Sequence, residues 1–260
     1  MNTTLTDSQL DRWNQTGYIK LPEFLSEAET QNLREWVEEI SAWPADDEKW
    51  MHHFEQTPSG VRPARTEYIL AFHAGIRQLL TQGKIPDCAG ALMGEPAILY
   101  KEKINYKYPG GGGYAAHQDA PAYEFIRNHI TCSIAVDAAT PENGCLFFTP
   151  ELHQRGLLHL DKNGCIDREY ADTLDWEPVP MQPGDALFFS SYAPHKSPPN
   201  ETQQPRRTLY LTYNARAEGD LREEYYADKR RSFAQVDTTG GEKLKISKIG
   251  HFDGKPAQQT

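Results

Sequence analysis

The chain has 260 residues, enough for one large β-rich domain with a full core. Hydrophobic residues make up 38% and charged residues 25%, a balance that excludes disordered and fibrous classes. A formal net charge of −10, with no long run of Lys and Arg to oppose it, argues against nucleic acid as a partner.

The opening MNTTLTDSQL lacks the basic flank and apolar stretch of a signal peptide, and no apolar run reaches the roughly 18 residues of a membrane span. The expected setting is the cytoplasm, without a membrane partner. The stretch TDSQLDRWNQTGY predicts a short helix. Ser26-Glu27-Ala28-Glu29 fits a capping box, and Leu33, Trp36, Val37 and Ile40 follow at helical spacing, which predicts an amphipathic helix over 26–42. Helical patterns recur over Gly75–Gly83 and Ile85–Gly94. The chain then changes character, with strands predicted at 97–108, 129–138, 145–150, 185–191 and 206–214 between Pro, Gly, Asn and Asp turn signals. Cys88, Cys132, Cys145 and Cys165 show no C-x-x-C spacing and read as reduced, structural thiols. Beyond Gly240 the tail is polar and weakly patterned, so it is expected to wrap the surface or fray. The fold class is therefore α+β: antiparallel β-structure with helices gathered at the N-terminal end. One domain over 1–260 is expected, with a mainly helical part over 1–95, a β core over 96–216 and a C-terminal extension over 217–260.

Four H-x-[DE] pairs occur, where chance in a chain with 9 His and 37 acidic residues gives about one. They are His53/Glu55, His117/Asp119, His159/Asp161 and His251/Asp253. A two-His-one-carboxylate metal site needs three ligands on one octahedral face, with the other positions open. Residues i and i+2 of a strand point the same way, so H-x-D at a strand end aims both side chains at one metal, and the third ligand must return on a later strand. His117/Asp119 meets this condition: it follows the strand 97–108, and several strands separate it from His195 in SSYAPHKSPPN. His159/Asp161 has one good strand before His195, His53/Glu55 sits among helical and loop signals, and His251/Asp253 has no downstream histidine. Those three pairs read as surface or loop polar residues. Arg206 lies eleven residues after His195 and opens the strand RRTLYLTYN, where a guanidinium suits a bidentate clamp on a carboxylate that Ser197 can share.

With HQD at 117–119, the distal HKSPPN, Arg206 and the GYIKLP opening at 17–22, the chain resembles the phytanoyl-CoA dioxygenase family of Fe(II)/2-oxoglutarate oxygenases. The resemblance implies a double-stranded β-helix, the jelly-roll core of cupin-like proteins, with iron held by His117, Asp119 and His195. It implies Arg206 and Ser197 on the distal carboxylate of 2-oxoglutarate. Asn105 is implied as a further co-substrate contact, and Lys101 and Lys103 share its strand face. O₂ is the other co-substrate, and 2-oxoglutarate leaves as succinate. Because Asp119 is present, hydroxylation of a C–H bond is favoured over halogenation.

The stretches 49–60, 100–123, 142–145 and 212–230 are similar to a narrower group of bacterial oxygenases acting on small aminophosphonates such as 2-aminoethylphosphonate or its N-methylated forms. The residues themselves support a small polar substrate, anionic or zwitterionic. Lys101, Lys103, Arg127, Arg207 and Arg216 can supply charge, while Tyr123 and Tyr213 can close a pocket or cage an ammonium group. The glycines at 110–113 lack the G-K-[ST] of a phosphate loop and instead suggest a flexible rim able to close over substrate. Hydroxylation of a betaine, amino acid or natural product stays open. So do a cupin-type enzyme using iron without 2-oxoglutarate and a metal-binding module without turnover. Oligomeric state is not legible.

Overall fold

The computed structural model describes residues 5–46, 48–237, 245–249 and 251–258. The expectation for the tail therefore falls partly outside the described residues, at 241–244, 250 and 259–260. Twelve strands form two antiparallel sheets among these residues. The larger has the order β1 (Tyr18–Leu21), β9 (Ala186–Ser190), β6 (His129–Ala135), β11 (Arg206–Ala215), β4 (Ala97–Lys107), β3 (Gly60–Glu67), β2 (Met51–Thr57), β12 (Pro256–Ala257). The smaller has the order β5 (Tyr114–His117), β10 (His195–Ser197), β7 (Leu146–Phe148), β8 (Glu177–Val179). This is the α+β jelly-roll arrangement that the sequence led us to expect.

Helices α1 (Asp7–Thr16) and α2 (Glu27–Ser41) both start at capping boxes, Thr6 with Gln9 and Ser26 with Glu29. In each, two otherwise orphaned N–H groups are satisfied, so both start where the sequence says they should. Leu33, Val37 and Ile40 of α2, Ile76 and Leu80 of α3 (Ala74–Thr81), and Ile85, Cys88 and Leu92 of α4 (Lys84–Met93) form one apolar cluster. It lies against Leu209, Leu211 and Tyr213 of β11, with Cys132 and Ile134 of β6 and Phe188 of β9. One face of the large sheet thus carries the main core. The alternate residues face the small sheet, where Leu187, Phe189 and Tyr210 meet Leu146, Phe148 and Val179. No disulfide joins the four cysteines, which are all buried. No helix among the described residues is long and apolar enough to cross a membrane.

The helices are not all that the first 95 residues contain. β1, β2 and β3 also come from this part and extend the large sheet, with β3 pairing to β4 and β2 to β3. Two further helices, α5 (Arg168–Ala171) and α6 (Arg222–Asp237), complete the set. Helix α6 is fastened to β4 by Arg222, whose Nε donates to Glu102 at 3.0 Å, and by the Tyr226 hydroxyl, which donates to the Glu102 carbonyl at 2.7 Å.

Leu33 is 0% exposed where α2 meets the large sheet, so Leu33→Ala is expected to cost about 2–5 kcal/mol, read as a fall in the urea midpoint at unchanged slope.

Candidate active site

Strands β5 and β10 pair antiparallel with His117 directly opposite His195, and their rings lie 4.2 Å apart between centroids. Asp119 follows β5 at the start of a 3-10 turn, where Thr131 Oγ1 donates to its Oδ2 at 3.2 Å. Its Oδ1 stands 3.8 Å from His117 Nε2. A carbonyl can only accept, so the contacts of His117 Nδ1 with the Ala115 carbonyl (2.7 Å) and His195 Nδ1 with the Ala193 carbonyl (3.0 Å) put the proton on Nδ1 in both rings. Each Nε2 is then a lone-pair donor held in orientation by its backbone partner. Burial pulls His117 down to about 3, assisted by His195, and burial likewise lowers His195, so both imidazoles are neutral. Burial alone would raise Asp119, but the side chains that surround it, Lys103 and Lys101 among them, outweigh burial and hold it ionised. Ligand atoms of the three residues all lie within 4.8 Å of one another. Two neutral imidazoles and one carboxylate make a donor set that fits a ferrous ion with positions left open.

On the neighbouring part of the wall, Arg206 Nη1 donates to Thr208 Oγ1 at 2.8 Å and Nη2 donates to the Gly144 carbonyl. Its Nε is buried without a hydrogen-bond partner among the described residues. Ser197 Oγ also donates to the Gly144 carbonyl at 2.9 Å, and Lys107 Nζ donates to Ser197 Oγ at 2.5 Å. Gly144 has to be glycine here. Its φ is +83°, and a Cβ would stand 2.3 Å from the Pro198 carbonyl oxygen. Asn105 sits beside this group, with Oδ1 accepting from Arg65 Nε at 3.1 Å. A single cavity is lined by the three candidate ligands together with Lys103, Asn105, Lys107, Ser197 and Arg206.

A family profile described as phytanoyl-CoA dioxygenase matches residues 13–208, a stretch that contains every residue of this arrangement. The chain belongs to the phytanoyl-CoA dioxygenase family. It is accordingly an Fe(II)- and 2-oxoglutarate-dependent dioxygenase. A 2-aminoethylphosphonate dioxygenase of the uncultured bacterium HF130_AEPn_1 is 40% identical over 232 residues, covering 88% of each chain. The dioxygenase lolE1 of Epichloe uncinata is 34% identical, covering 85% of this chain and 87% of that protein. The apo crystal structure of EctD from S. alaskensis shares the fold at a TM-score of 0.71 and 22% identity, covering 84% of this chain and 80% of that one.

Not every charged or aromatic candidate reaches this site. Tyr213 falls on the opposite face of β11 and donates its hydroxyl to the Leu80 carbonyl at 2.7 Å, so it belongs to the core under the helices. Arg207 shares that outward face and pairs with Asp137 and Glu38. Arg216 and Arg127 are exposed beyond the strand ends. Tyr123 is buried close by, but its ring is already covered by Lys101 Nζ at 4.5 Å and its hydroxyl meets Thr212 Oγ1 at 2.9 Å, which leaves no cage for a ligand's ammonium. The glycines do form the rim, with Gly112 lining the cavity, yet the rim is pinned down. Gly112 N–H donates to Glu55 Oε2 at 2.9 Å, Gly110 N–H donates to the Asn200 carbonyl at 2.8 Å, and a Cβ on Gly112 would stand 2.3 Å from Gly254 Cα. The expectation of a loop free to close is corrected accordingly: these glycines permit close backbone packing.

Of the three discarded H-x-[DE] pairs, His159 and Asp161 are exposed as expected, and the other two need correction. His53 and Glu55 lie on β2, and Glu55 is 1% exposed. His53 Nε2 lies 3.6 Å from Glu67, a carboxylate that Lys229 and Arg65 also contact. His251 is 6% exposed, lines the cavity with Phe252, and stacks on His117 with centroids 3.8 Å apart and planes 13° apart. Lys107 was missed although it continues the Lys101, Lys103, Asn105 alternation by one more step.

Burial lifts Glu55 to about 7, with the Gly112 N–H and Lys107 opposing and Asp253 adding to the rise. A raised folded-state value stabilises the fold at acid pH, and that contribution is lost as pH climbs from about 4.5 through about 7. Glu55→Gln keeps an acceptor for Gly112, so its urea stability relative to the parent is expected to improve steadily between pH 5 and pH 8.

Proposed function

We propose that this dioxygenase hydroxylates a C–H bond of a small aminophosphonate, 2-aminoethylphosphonate or an N-methylated form of it. His117, Asp119 and His195 would hold the iron. Arg206 and Ser197 would hold the distal carboxylate of 2-oxoglutarate, with Asn105 and Lys103 beside the rest of that molecule. Iron in this site supplies the redox chemistry by which O₂ oxidises 2-oxoglutarate to succinate and CO₂ and gives its second oxygen atom to the substrate as a hydroxyl group. The residues' own tasks are to bind and orient. Arg206 presents a fixed fork whose Nε is still unsatisfied, so a carboxylate there gains a charge-assisted bond without displacing a protein partner.

The distribution of positive charge along β4 carries the substrate proposal. Lys101, Lys103 and Lys107 occupy one face of that strand, and six residues at about 3.3 Å each separate the first from the last by about 20 Å. One five-carbon co-substrate cannot span that length. Lys107 is held at the Arg206 end by Ser197. Lys101, 7% exposed, has no hydrogen bond or ion pair among the described residues, only the faces of Tyr123 and Tyr225 at 4.5 and 5.5 Å. Lys103 lines the cavity over Tyr210 at 5.2 Å and is likewise without an ion pair there. Burial disfavours the charged form of both amines, pulling Lys101 down to about 8 and Lys103 well below its usual value, and a second anion at this end of the strand would restore their charge. A dianionic phosphonate meets that demand better than a carboxylate, and the relative at 40% identity acts on such a substrate.

Stimulated succinate formation with 2-aminoethylphosphonate, and none with a phytanoyl-type acyl thioester, is the expected result. No stimulation by any small phosphonate would overturn the substrate assignment while leaving the reaction class standing. Arg206→Ala is expected to raise KM for 2-oxoglutarate by about tenfold or more and to abolish the weak visible band formed on anaerobic mixing with Fe(II). Lys101→Met should raise KM for the phosphonate by about tenfold or more with KM for 2-oxoglutarate unchanged. Equal effects on both constants would remove Lys101 from the substrate side.

A further inference from the structure

Residues 245–249 and 251–258 lie beyond the family-matched stretch, and they fasten to both sheets. On the large sheet, β12 pairs with β2, Gln56 N–H donates to the Lys255 carbonyl at 2.7 Å, and Arg65 Nη1 donates to the Ile246 carbonyl. On the small sheet, Ala115 N–H donates to the His251 carbonyl at 2.9 Å, Asp253 N–H donates to the Gly113 carbonyl at 3.2 Å, and Tyr114 bridges Phe252. The segment is thus a strap across the seam, and it covers the edge of β5 that β10 leaves open. β5 is four residues long and ends in His117. A strand that short takes its position from its neighbours, so the strap determines the placement of His117 as much as β10 does.

The strap also reaches the side chain. His251 lies nearly parallel to His117 at 3.8 Å, while His195 approaches the His117 ring at 4.2 Å and 54°. Tyr114 meets the His251 ring at 5.3 Å and Phe252 at 5.2 Å, which closes the aromatic packing around the stack. The hydrogen bond from His117 Nδ1 to the Ala115 carbonyl fixes one direction within the ring plane. Rotation about that direction stays soft unless a neighbour covers the ring face. His251 supplies the cover.

We propose that His251 is a positioning residue for the metal centre: its ring fixes the plane of His117, and docking of the strap is thereby coupled to metal binding. The proposal rests on the assignment of His117 as a ligand. Stacking is the operative interaction, so a phenyl ring at 251 serves in place of the imidazole. Coupling is reciprocal: whatever the docked strap adds to metal affinity, bound metal adds to strap docking.

The test uses the full chain with Mn(II) as a redox-silent probe, free Mn(II) being read by electron paramagnetic resonance. His251→Ala is expected to weaken Mn(II) binding about tenfold or more, the range found when groups that orient metal ligands are removed, while His251→Phe recovers most of the loss. Trypsin cleavage at Lys248 of the strap should slow when Mn(II) is added to the parent protein, and His251→Ala should abolish that protection. Parent-like affinity in His251→Ala overturns the proposal, as does a His251→Phe variant as weak as the alanine one, or strap cleavage indifferent to Mn(II) in the parent. His117→Ala separates the two ideas, since unchanged Mn(II) binding in that variant would remove the ligand assignment itself.

Discussion

The register between β5 and β10 is the constraint on which the site depends. With His117 opposite His195, both imidazoles emerge on the same side of the small sheet, and a slip of one residue would send one of them to the other face. The same register fixes Ser197 two residues on, within reach of the Gly144 carbonyl that Arg206 also grips. A turn glycine from the β6–β7 connection, a strand-end arginine and a three-residue strand are thus held together by one shared acceptor.

The large sheet separates stability from chemistry across its own thickness. Its outer face contributes Leu209, Leu211, Ile134 and Phe188 to the apolar core beneath the helices. Its inner face carries Arg65, Glu67, Lys101, Lys103, Asn105, Lys107 and Arg206, all within a few strands of one another. Burial opposes charge here: it pulls Lys101 down to about 8 and Lys229, which contacts Glu67 from α6, down to about 7. Glu67 stays ionised because Lys229 and Arg65 outweigh its desolvation. The charged part of that inner face has little hydrophobic drive of its own, so the outer face and the cluster of Leu187, Phe189 and Tyr210 against the small sheet supply it.

How much of this the sequence discloses follows from the physics of each element. Capped helices and long apolar strands were legible because their signals are local: α2 was expected over 26–42 and runs over Glu27–Ser41, and β4 and β11 fell within a residue or two of their expected ends. β2 and β3, MHHFEQT and GVRPARTE, were not, because they carry few apolar residues and are held by pairing with each other and, at Glu67, by Lys229 far along the chain. β5 and β10 are too short for any periodicity. The H-x-D spacing and the distal His and Arg still led to three residues that lie together as candidate ligands, since strand alternation constrains them directly. Tyr213 lies seven residues after Arg206, so alternation along β11 already puts it on the opposite face with Leu209 and Leu211; its aromatic character alone had suggested a pocket role. His251 was dismissed for lacking a downstream histidine. That criterion detects ligands and is blind to a ring that packs against one.

The strap has a consequence for the order in which the molecule is made. Chain emerges from the ribosome N-terminus first, and β5 leaves it long before residues 251–253 do. In that interval the strand that ends in His117 has one open edge, with the backbone groups of Gly113 and Ala115 unpaired and available to another chain. The four glycines just before it carry no side chain to guard that edge. The candidate active-site strand is therefore also a point at which a nascent molecule is exposed to mispairing.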